Sequence, residues 1–504
     1  MFNEKGGGDM GVQDVCVIGG GFGGLTAAAI MAQSGQVNVT LLEASREWGG
    51  CAGKFSRGAF TFPAGATLGL GFQEGGIHDV INTRLGIQVE KTLLDTVMAI
   101  HTEDRTIRYF RDRERFLEEM DSHFPQIDEK IRAFFQHCWR IAAPMNRLSA
   151  SFPAVPPVSA FDFFHSLKQI KPGDVKLGFY IRRPLSWLLR KYGLEKEEDF
   201  IHFIDGLLID SLQTSSEKAS CLLAAYALDI YHQGAYYLSG GLYKSAEALA
   251  GIVKSSCGKT MQGRKAVRVG KKDSRWVIED HRGTSYTADH VVFNVPVEAL
   301  KDLLDRELYE SLPKRSKKDT GGQWGAFTLY LAVSEEVIPD HMPLFQQVVS
   351  GIGSPLAEGD HLFVSVSDRN DRYRAPSGFR TLTVSTHTDV EKWNDRRTYD
   401  EHREKMTDYM LQRLKTVLPR LEEGIVHLLP GAPRAWERFT GRPGGSVGGY
   451  PQTTGNSFFR DHPHKLKHKG LWICGDTVFP GAGTMAVSSS GYHAARSVLR
   501  SVST

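Results

Sequence analysis

Val15-Cys16-Val17-Ile18-Gly19-Gly20-Gly21-Phe22-Gly23-Gly24-Leu25-Thr26-Ala27-Ala28-Ala29 joins a short apolar run, a glycine cluster and an Ala-rich stretch. Gly19, Gly21 and Gly24 satisfy G-x-G-x-x-G with a strand predicted before the loop and a helix after it, the context that gives the pattern meaning. Gly19 permits the tight turn, Gly21 lets backbone amides approach a pyrophosphate, and Gly24 lets helix and strand pack closely. The phosphate charge then sits at a helix start, opened by Phe22 and Gly23, where unpaired N–H groups and the macrodipole favour an anion. A second predicted strand, Val39-Thr40-Leu41-Leu42-Glu43, ends in an acid about 20 residues past the last glycine, as a ribose-binding carboxylate requires. Glu43, followed by Ala44, would also repel a 2′-phosphate, which disfavours NADP.

Outward from this loop, composition narrows the function classes. The 504 residues allow several domain-sized units with ample core. A net charge of +3 argues against a nucleic-acid partner. Cys16, Cys51, Cys138, Cys221, Cys257 and Cys474 form no C-x-x-C pair, so no zinc site or disulfide framework is indicated; Cys16 and Cys474 read as small core residues. Met1 to Gln13 is polar and Gly-rich without an apolar h-region, and no apolar stretch reaches the roughly 20 residues of a membrane span. The expected location is cytoplasmic, with peripheral membrane contact open.

A second glycine loop, Gly49-Gly50-Cys51-Ala52-Gly53, follows Glu43 closely, and Phe60-Thr61-Phe62-Pro63-Ala64-Gly65-Ala66-Thr67 comes after it. A nicotinamide dinucleotide has no need of this loop, whereas an extended FAD does. At the other end, Leu471-Trp472-Ile473-Cys474-Gly475-Asp476 reads as a buried strand ending in Gly-Asp. Pro480-Gly481-Ala482-Gly483 then leads into a small-residue helix from Thr484 and Met485, in which Ser488, Ser489 and Ser490 leave room for a bulky group. A strand-end carboxylate suits a polyol hydroxyl, and a helix N-terminus suits a flavin edge that turns negative on reduction.

Between the two ends, residues 88 to about 232 carry helical signals, broken by Phe152-Pro153-Ala154-Val155-Pro156-Pro157. Phe161 to Lys191 mixes aromatic and aliphatic residues with Lys168, Lys171, Lys176, Arg182, Arg183, Arg190 and Lys191. It reads either as a surface that docks on anionic lipid or as an ordinary helix with a solvated basic face. Lys265–Val269, Arg275–Ile278 and His290–Pro296 read as the chain returning to the nucleotide-binding sheet. The segments 326–333, 362–366 and 381–386 read as an antiparallel sheet, and helix returns over Tyr399 to Leu418.

With both ends in hand, the chain resembles the FAD-dependent carotenoid and retinoid oxidoreductases. These are phytoene-desaturase-like proteins, with the amine-oxidase-like flavoproteins behind them. Within that group it is most similar to the carotenoid isomerase and carotenoid 3′,4′-desaturase branch. The residues carrying this are Gly49 to Gly53, Phe60 to Thr67, Glu74-Gly75-Gly76-Ile77-His78 and Trp324-Gly325-Ala326-Phe327. Pro433-Arg434, Arg438-Phe439, Gly444-Gly445, Gly448-Gly449 and Gly475-Asp476 through Pro480-Gly481 extend the match. Where relatives commonly have Phe-Asp, this chain has Phe62-Pro63.

The resemblance implies an α/β fold: a Rossmann-type, glutathione-reductase-like FAD domain with a mixed α+β substrate domain inserted discontinuously. The FAD domain would comprise 1–87, 233–300 and 465–504, with 88–232 as a helical, membrane-facing part and 301–464 as the substrate sheet and helices. Gly19, Gly21, Gly24 and Glu43 would hold the ADP half, Gly50 and Cys51 would pass near the middle, and Phe22, Gly23, Ala44, Gly65 and Ala66 would also be cofactor-binding. Val267 would offer backbone near the adenine, Gly475 and Asp476 would serve ribityl or pyrophosphate oxygens, and Gly483, Thr484 and Met485 would lie at the isoalloxazine.

Three functions follow. The first is a desaturase acting on the CH–CH bonds of a carotenoid-like polyene, with an external electron acceptor. The second is a cis-trans isomerase using reduced FAD. The third is a non-redox lipid-binding protein on the same fold, as in the GDP-dissociation inhibitors. No catalytic acid or base stands out, since His387 and Glu437 read as structural hydrogen-bonding residues. His462, His464 and His468, interleaved with Lys465, Lys467 and Lys469, read as a solvated surface loop rather than a metal site.

Overall fold

The computed structural model describes residues 12–149, 151–317, 322–456 and 462–503; the stretch before Val12 lies outside them. A five-stranded sheet runs in the order Lys259–Met261, Val37–Leu42, Gln13–Ile18, His290–Phe293, Leu471–Ile473, with every pairing parallel. Val15, Val17, Leu41, Val292 and Ile473 are fully buried, as strands covered on both faces must be. The helices Phe22–Ser34 and Thr484–Val502 pack together on this sheet so closely that a Cβ on Gly491 would lie 2.1 Å from the Gly23 carbonyl oxygen. The first helix stops at Gly35, whose φ of 66° turns the chain at no Cβ penalty.

Two readings from sequence are corrected here. The segments Ala266–Lys272 and Arg275–Asp280 do not join the parallel sheet; with Ser285–Ala288 they form a separate antiparallel meander. In Arg275–Asp280 the buried Trp276 and Ile278 alternate with half-buried Arg275, Val277 and Glu279, the pattern of a sheet with one face toward the core. The parallel edge is instead supplied by Lys259–Met261. In addition, the stretch after residue 88 is not helical throughout. Lys91–Leu93 pairs with Ala235–Leu238, and the hairpin Thr96–His101 with Thr106–Phe110 extends a second, eight-stranded sheet.

That second sheet is built on Trp324–Ser334, which pairs antiparallel with Phe379–Thr388 and Ile425–Gly431. His361–Val366 and Phe345–Val349 continue it, and Phe345–Val349 meets Thr96–His101 in parallel. The helix Tyr399–Lys415 covers one face through Met406, Met410 and Leu414, which share a core with Phe327, Leu329 and Leu331. A helical layer comprising Asp128–Ser149, Glu198–Leu212 and Cys221–Gln233 closes the other side of the space between the sheets.

Candidate functional site

The glycine loop is tight for reasons of contact. Gly19 has φ 102° and its amide donates to the Leu42 carbonyl at 2.8 Å, tying the loop to the next strand. A Cβ on Gly24 would stand 2.1 Å from the Gly19 carbonyl oxygen, and one on Gly21 would stand 2.9 Å from Asn294 Nδ2. Asn294, one residue past the strand His290–Phe293, backs the loop and donates from Nδ2 to the Gly19 carbonyl at 3.3 Å. It was not singled out from sequence, although the carboxyl end of a central parallel strand is where such sheets bind ligands.

Two helix starts open on this region. The helix from Phe22 begins at Gly21 with no side-chain cap and no acidic residue in its first turn. The helix from Thr484 begins at Gly483, φ 88°, and is likewise uncapped and free of acid. Their first amides therefore remain as donors for an anion. Glu43 stands between the strand ends, its two oxygens accepting from the Gly20 amide at 2.5 Å and the Ser45 amide at 2.6 Å. Burial pushes its carboxyl above the ordinary value, while those amides and that of Ala44 pull it back.

Asp476 is not alone, as it was in the sequence. Arg442, buried and arriving from a different segment, meets it at 2.9 Å and donates from Nε to the Ser446 carbonyl at 2.6 Å. One Arg442 nitrogen, the second Nη, has no partner among the described residues. Cys51 lies within electrostatic reach of this pair, its thiol raised by burial.

These segments converge on one cavity of about 960 Å³, near the upper end of the roughly 300–1,000 Å³ usual for ligand pockets. Gly19, Gly21, Phe22, Gly23, Glu43, Ala44, Gly50, Cys51, Gly65, Ala66, Val267, Gly475, Asp476, Gly483, Thr484 and Met485 all line it. Gly24 does not; its role is the helix–strand packing described above. The same cavity continues among Met145, Leu148, Leu212, Leu223, Ile230 and Phe363, an apolar chamber under the helical layer. His387 faces it too, whereas exposed Glu437 accepts from the Gly444 amide at 3.2 Å.

Two further expectations change. Of the three consecutive serines only Ser489 reaches the cavity. Ser490 Oγ accepts from the Gly475 amide at 2.9 Å, so small size there serves close helix packing rather than room for a ligand. His462 and His464 are buried, not a solvated loop: His464 Nε2 hydrogen-bonds Ser497 Oγ at 2.8 Å, and His468 Nε2 bonds Ser311 Oγ at 2.7 Å. The chain there packs against the strand Leu471–Ile473, with Lys465 bridged to Trp472.

The donor set fits a dinucleotide flavin. A glycine loop that a Cβ would fill, two uncapped helix starts, a strand-end carboxylate and a partly unpartnered buried Arg442 surround one elongated space. The model for flavin containing amine oxidoreductases matches residues 22–499. Prolycopene isomerase 2, chloroplastic, from an Oncidium hybrid cultivar is 27% identical, over 96% of this chain and 83% of that protein. A Staphylococcus aureus 4,4'-diapophytoene desaturase is 22% identical, over 94% and 96% respectively. A solved putrescine oxidase, 13% identical, superposes with a TM-score of 0.65 over 97% of this chain and 98% of that one, and shares the fold. The chain belongs to the flavin containing amine oxidoreductase family, and its cofactor is FAD.

Proposed function

We propose that the protein is a desaturase of a carotenoid-like polyene, with Gly19, Gly21, Glu43, Gly50, Asp476 and Gly483 among the residues that hold its flavin. The observation that carries this is the continuity of the cofactor cradle with an apolar chamber. A polyene offers few polar handles, so a chamber of Leu, Ile, Met and Phe matches it by burial alone. The names of the relatives point to the same substrate class. When bound, the flavin supplies a hydride acceptor; the chain's part is to orient the polyene and exclude water. Glu43 and the helix start at Gly21 would anchor the ADP half. Arg442 would neutralise Asp476 and present its remaining N–H to the cofactor.

The higher identity to prolycopene isomerases favours a second reading, cis-trans isomerisation with no net oxidation. A non-redox lipid carrier has no use for two uncapped helix starts facing one cavity, and this argues against the third.

Substrate delivery is proposed to occur from a membrane. On the helix Ala160–Gln169, Phe163 is 51% exposed, Phe164 58% and Leu167 51%. Ser166 and Ile170 of the same segment line the cavity. An ordinary domain helix buries its apolar face, but this one presents it outward beside Lys168 and Lys171, as an interfacial helix does. No helix among the described residues is long and apolar enough to cross a membrane.

The test is a visible spectrum of the purified protein, followed by anaerobic addition of a liposomal acyclic carotenoid. Flavin bleaching together with a red shift of the polyene bands supports desaturation. Turnover that needs pre-reduced flavin and keeps conjugation length fixed supports the isomerase. Absence of flavin bands after FAD reconstitution would sink the redox reading.

A further inference from the structure

The apolar chamber contains one carboxylate that nothing above uses. Asp210 sits in the last turn of the helix Glu198–Leu212 and lines the cavity beside Leu212, Ile230 and Tyr231. Gln347 Nε2 donates to its Oδ2 at 2.6 Å, and His361 Nε2 stands 3.6 Å from the same oxygen. Oδ2 is thus held by the second sheet, which leaves Oδ1 to the cavity. The side chain keeps 18% accessibility although it lies inside the protein.

The position of Asp210 relates it to the cofactor end. One helical turn on, the carbonyl of Gln213 accepts from Trp324 Nε1 at 3.1 Å. The Gln213 side chain lies against Gly448, so that a Cβ on that glycine would collide with it, and the adjoining Gly449 abuts the Asp476 carbonyl. The turn carrying Asp210 is therefore wedged between the Asp476 loop and the apolar chamber. His387, whose ring meets Trp324 edge-on, faces the same space from the strand Phe379–Thr388.

We propose that Asp210 is the group that takes a proton from the polyene, a role that rests on the desaturase reading. Making a new double bond removes two hydrogens from neighbouring carbons. One leaves with its bonding pair to the flavin, the hydride acceptor. The adjacent C–H bond breaks toward the chain, its electron pair becomes the π bond, and the proton goes to Asp210 Oδ1. Atoms and charge then balance, with the flavin reduced by two electrons and Asp210 neutral.

The surroundings suit that task. The titratable groups facing Asp210 are His361 and His387 from the sheet and Tyr231 from the helix Cys221–Gln233. Burial pushes the Asp210 carboxyl up to about 6, with His387 and the Gln347 hydrogen bond opposing. Burial also lowers His361 and His387 to about 4. At neutral pH Asp210 is ionised beside two neutral imidazoles, with a basicity close to the working pH, where a general base is most effective.

The experiment uses the FAD-loaded protein and Asp210→Asn, which retains an oxygen for Gln347. Infrared difference titration without substrate should show a carboxylic C=O band appearing near pH 6 and missing in the variant. Single-turnover flavin reduction by a liposomal acyclic carotenoid should fall at least about 100-fold in Asp210→Asn. Flavin content and quenching of protein fluorescence by the bound polyene should stay unchanged. In the parent protein the same rate should fall about tenfold per unit below pH 6. Parent-like reduction by Asp210→Asn would overturn the role of Asp210 alone. A parent protein that isomerises without bleaching its flavin, or ignores carotenoids, would overturn the desaturase reading and this role with it.

Discussion

Gly24 and Gly35 separate two uses of glycine in one helix. At Gly24 an added Cβ would stand 2.1 Å from the Gly19 carbonyl and 2.9 Å from Asn294 Cβ, both fixed by the strands beneath. Gly24→Ala should therefore cost about 1–3 kcal/mol by overpacking and expel FAD, because the strain lands on the loop facing the phosphates. At Gly35 nothing lies within 4 Å, and only φ 66° resists a side chain. Gly35→Ala should cost about 1 kcal/mol and leave flavin content intact. Thermal melting with flavin quantification distinguishes them; equal flavin loss would contradict the packing argument. The Arg442–Asp476 pair yields a second residue-scale expectation. With both side chains nearly enclosed, Arg442→Ala strands a buried carboxylate, a change that typically costs about 3–5 kcal/mol. Denaturant midpoints of the FAD-loaded protein check this, and a loss under 1 kcal/mol would mean that water reaches Asp476.

The helix Ala160–Gln169 is an element whose apolar face leaves about half of Phe163, Phe164 and Leu167 open to solvent. Burying each half-exposed side chain in lipid is worth about 1 kcal/mol. The triple variant Phe163→Ser, Phe164→Ser, Leu167→Ser should thus lose flotation with anionic liposomes by about two orders of magnitude while its melting temperature holds. Unchanged flotation would return this helix to the ordinary solvated class. Elements also show what was legible beforehand. The glycine loop and Glu43 were readable because local spacing carries their chemistry, and the strand Trp324–Ser334 because eleven residues of β-rich sequence admit little else. Lys259–Met261 was not: three residues have no period, and they become a strand only because Val37–Leu42 lies alongside. The hairpin at Thr96–Phe110 stayed hidden for the opposite reason. Its parallel partner, Phe345–Val349, is over two hundred residues away, and no local pattern reports it. Arg442 and Asp210 share that difficulty, since each acquires meaning only from residues that tertiary structure brings beside it.

Across the whole molecule, burial leaves a set of histidines neutral, and this sets its response to acid. His78 is lowered by burial to about 3; His232, His361, His387 and His464 are lowered to about 4, and His493 lies well below its ordinary value. Each has a folded value below its unfolded value near 6.5, so the unfolded chain binds the proton first. The stability tied to these groups is complete above about pH 6.5 and is lost as pH falls toward the folded values. Each can contribute up to ~1.4 kcal/mol per pH unit. Glu43, Glu47, Asp205 and Asp210 have raised values and act in the opposite sense, but they are fewer. Urea midpoints should therefore drop steeply between pH 7 and pH 5, before the carboxylates with lowered values begin to protonate. His78 isolates one such proton. Its ring stacks on Phe72 with centroids 4.5 Å apart and meets Phe22 edge-on at 5.9 Å, and its Nε2 has no partner among the described residues. His78→Phe preserves that aromatic packing and removes the titration. The variant should show a pH slope shallower by about one proton and greater stability at pH 5, with little change at pH 8. An unaltered slope would mean that the Phe22–Phe72 pocket, which backs the glycine loop, opens to water in the native state. The rigid cradle on which flavin binding is argued would then be lost as well.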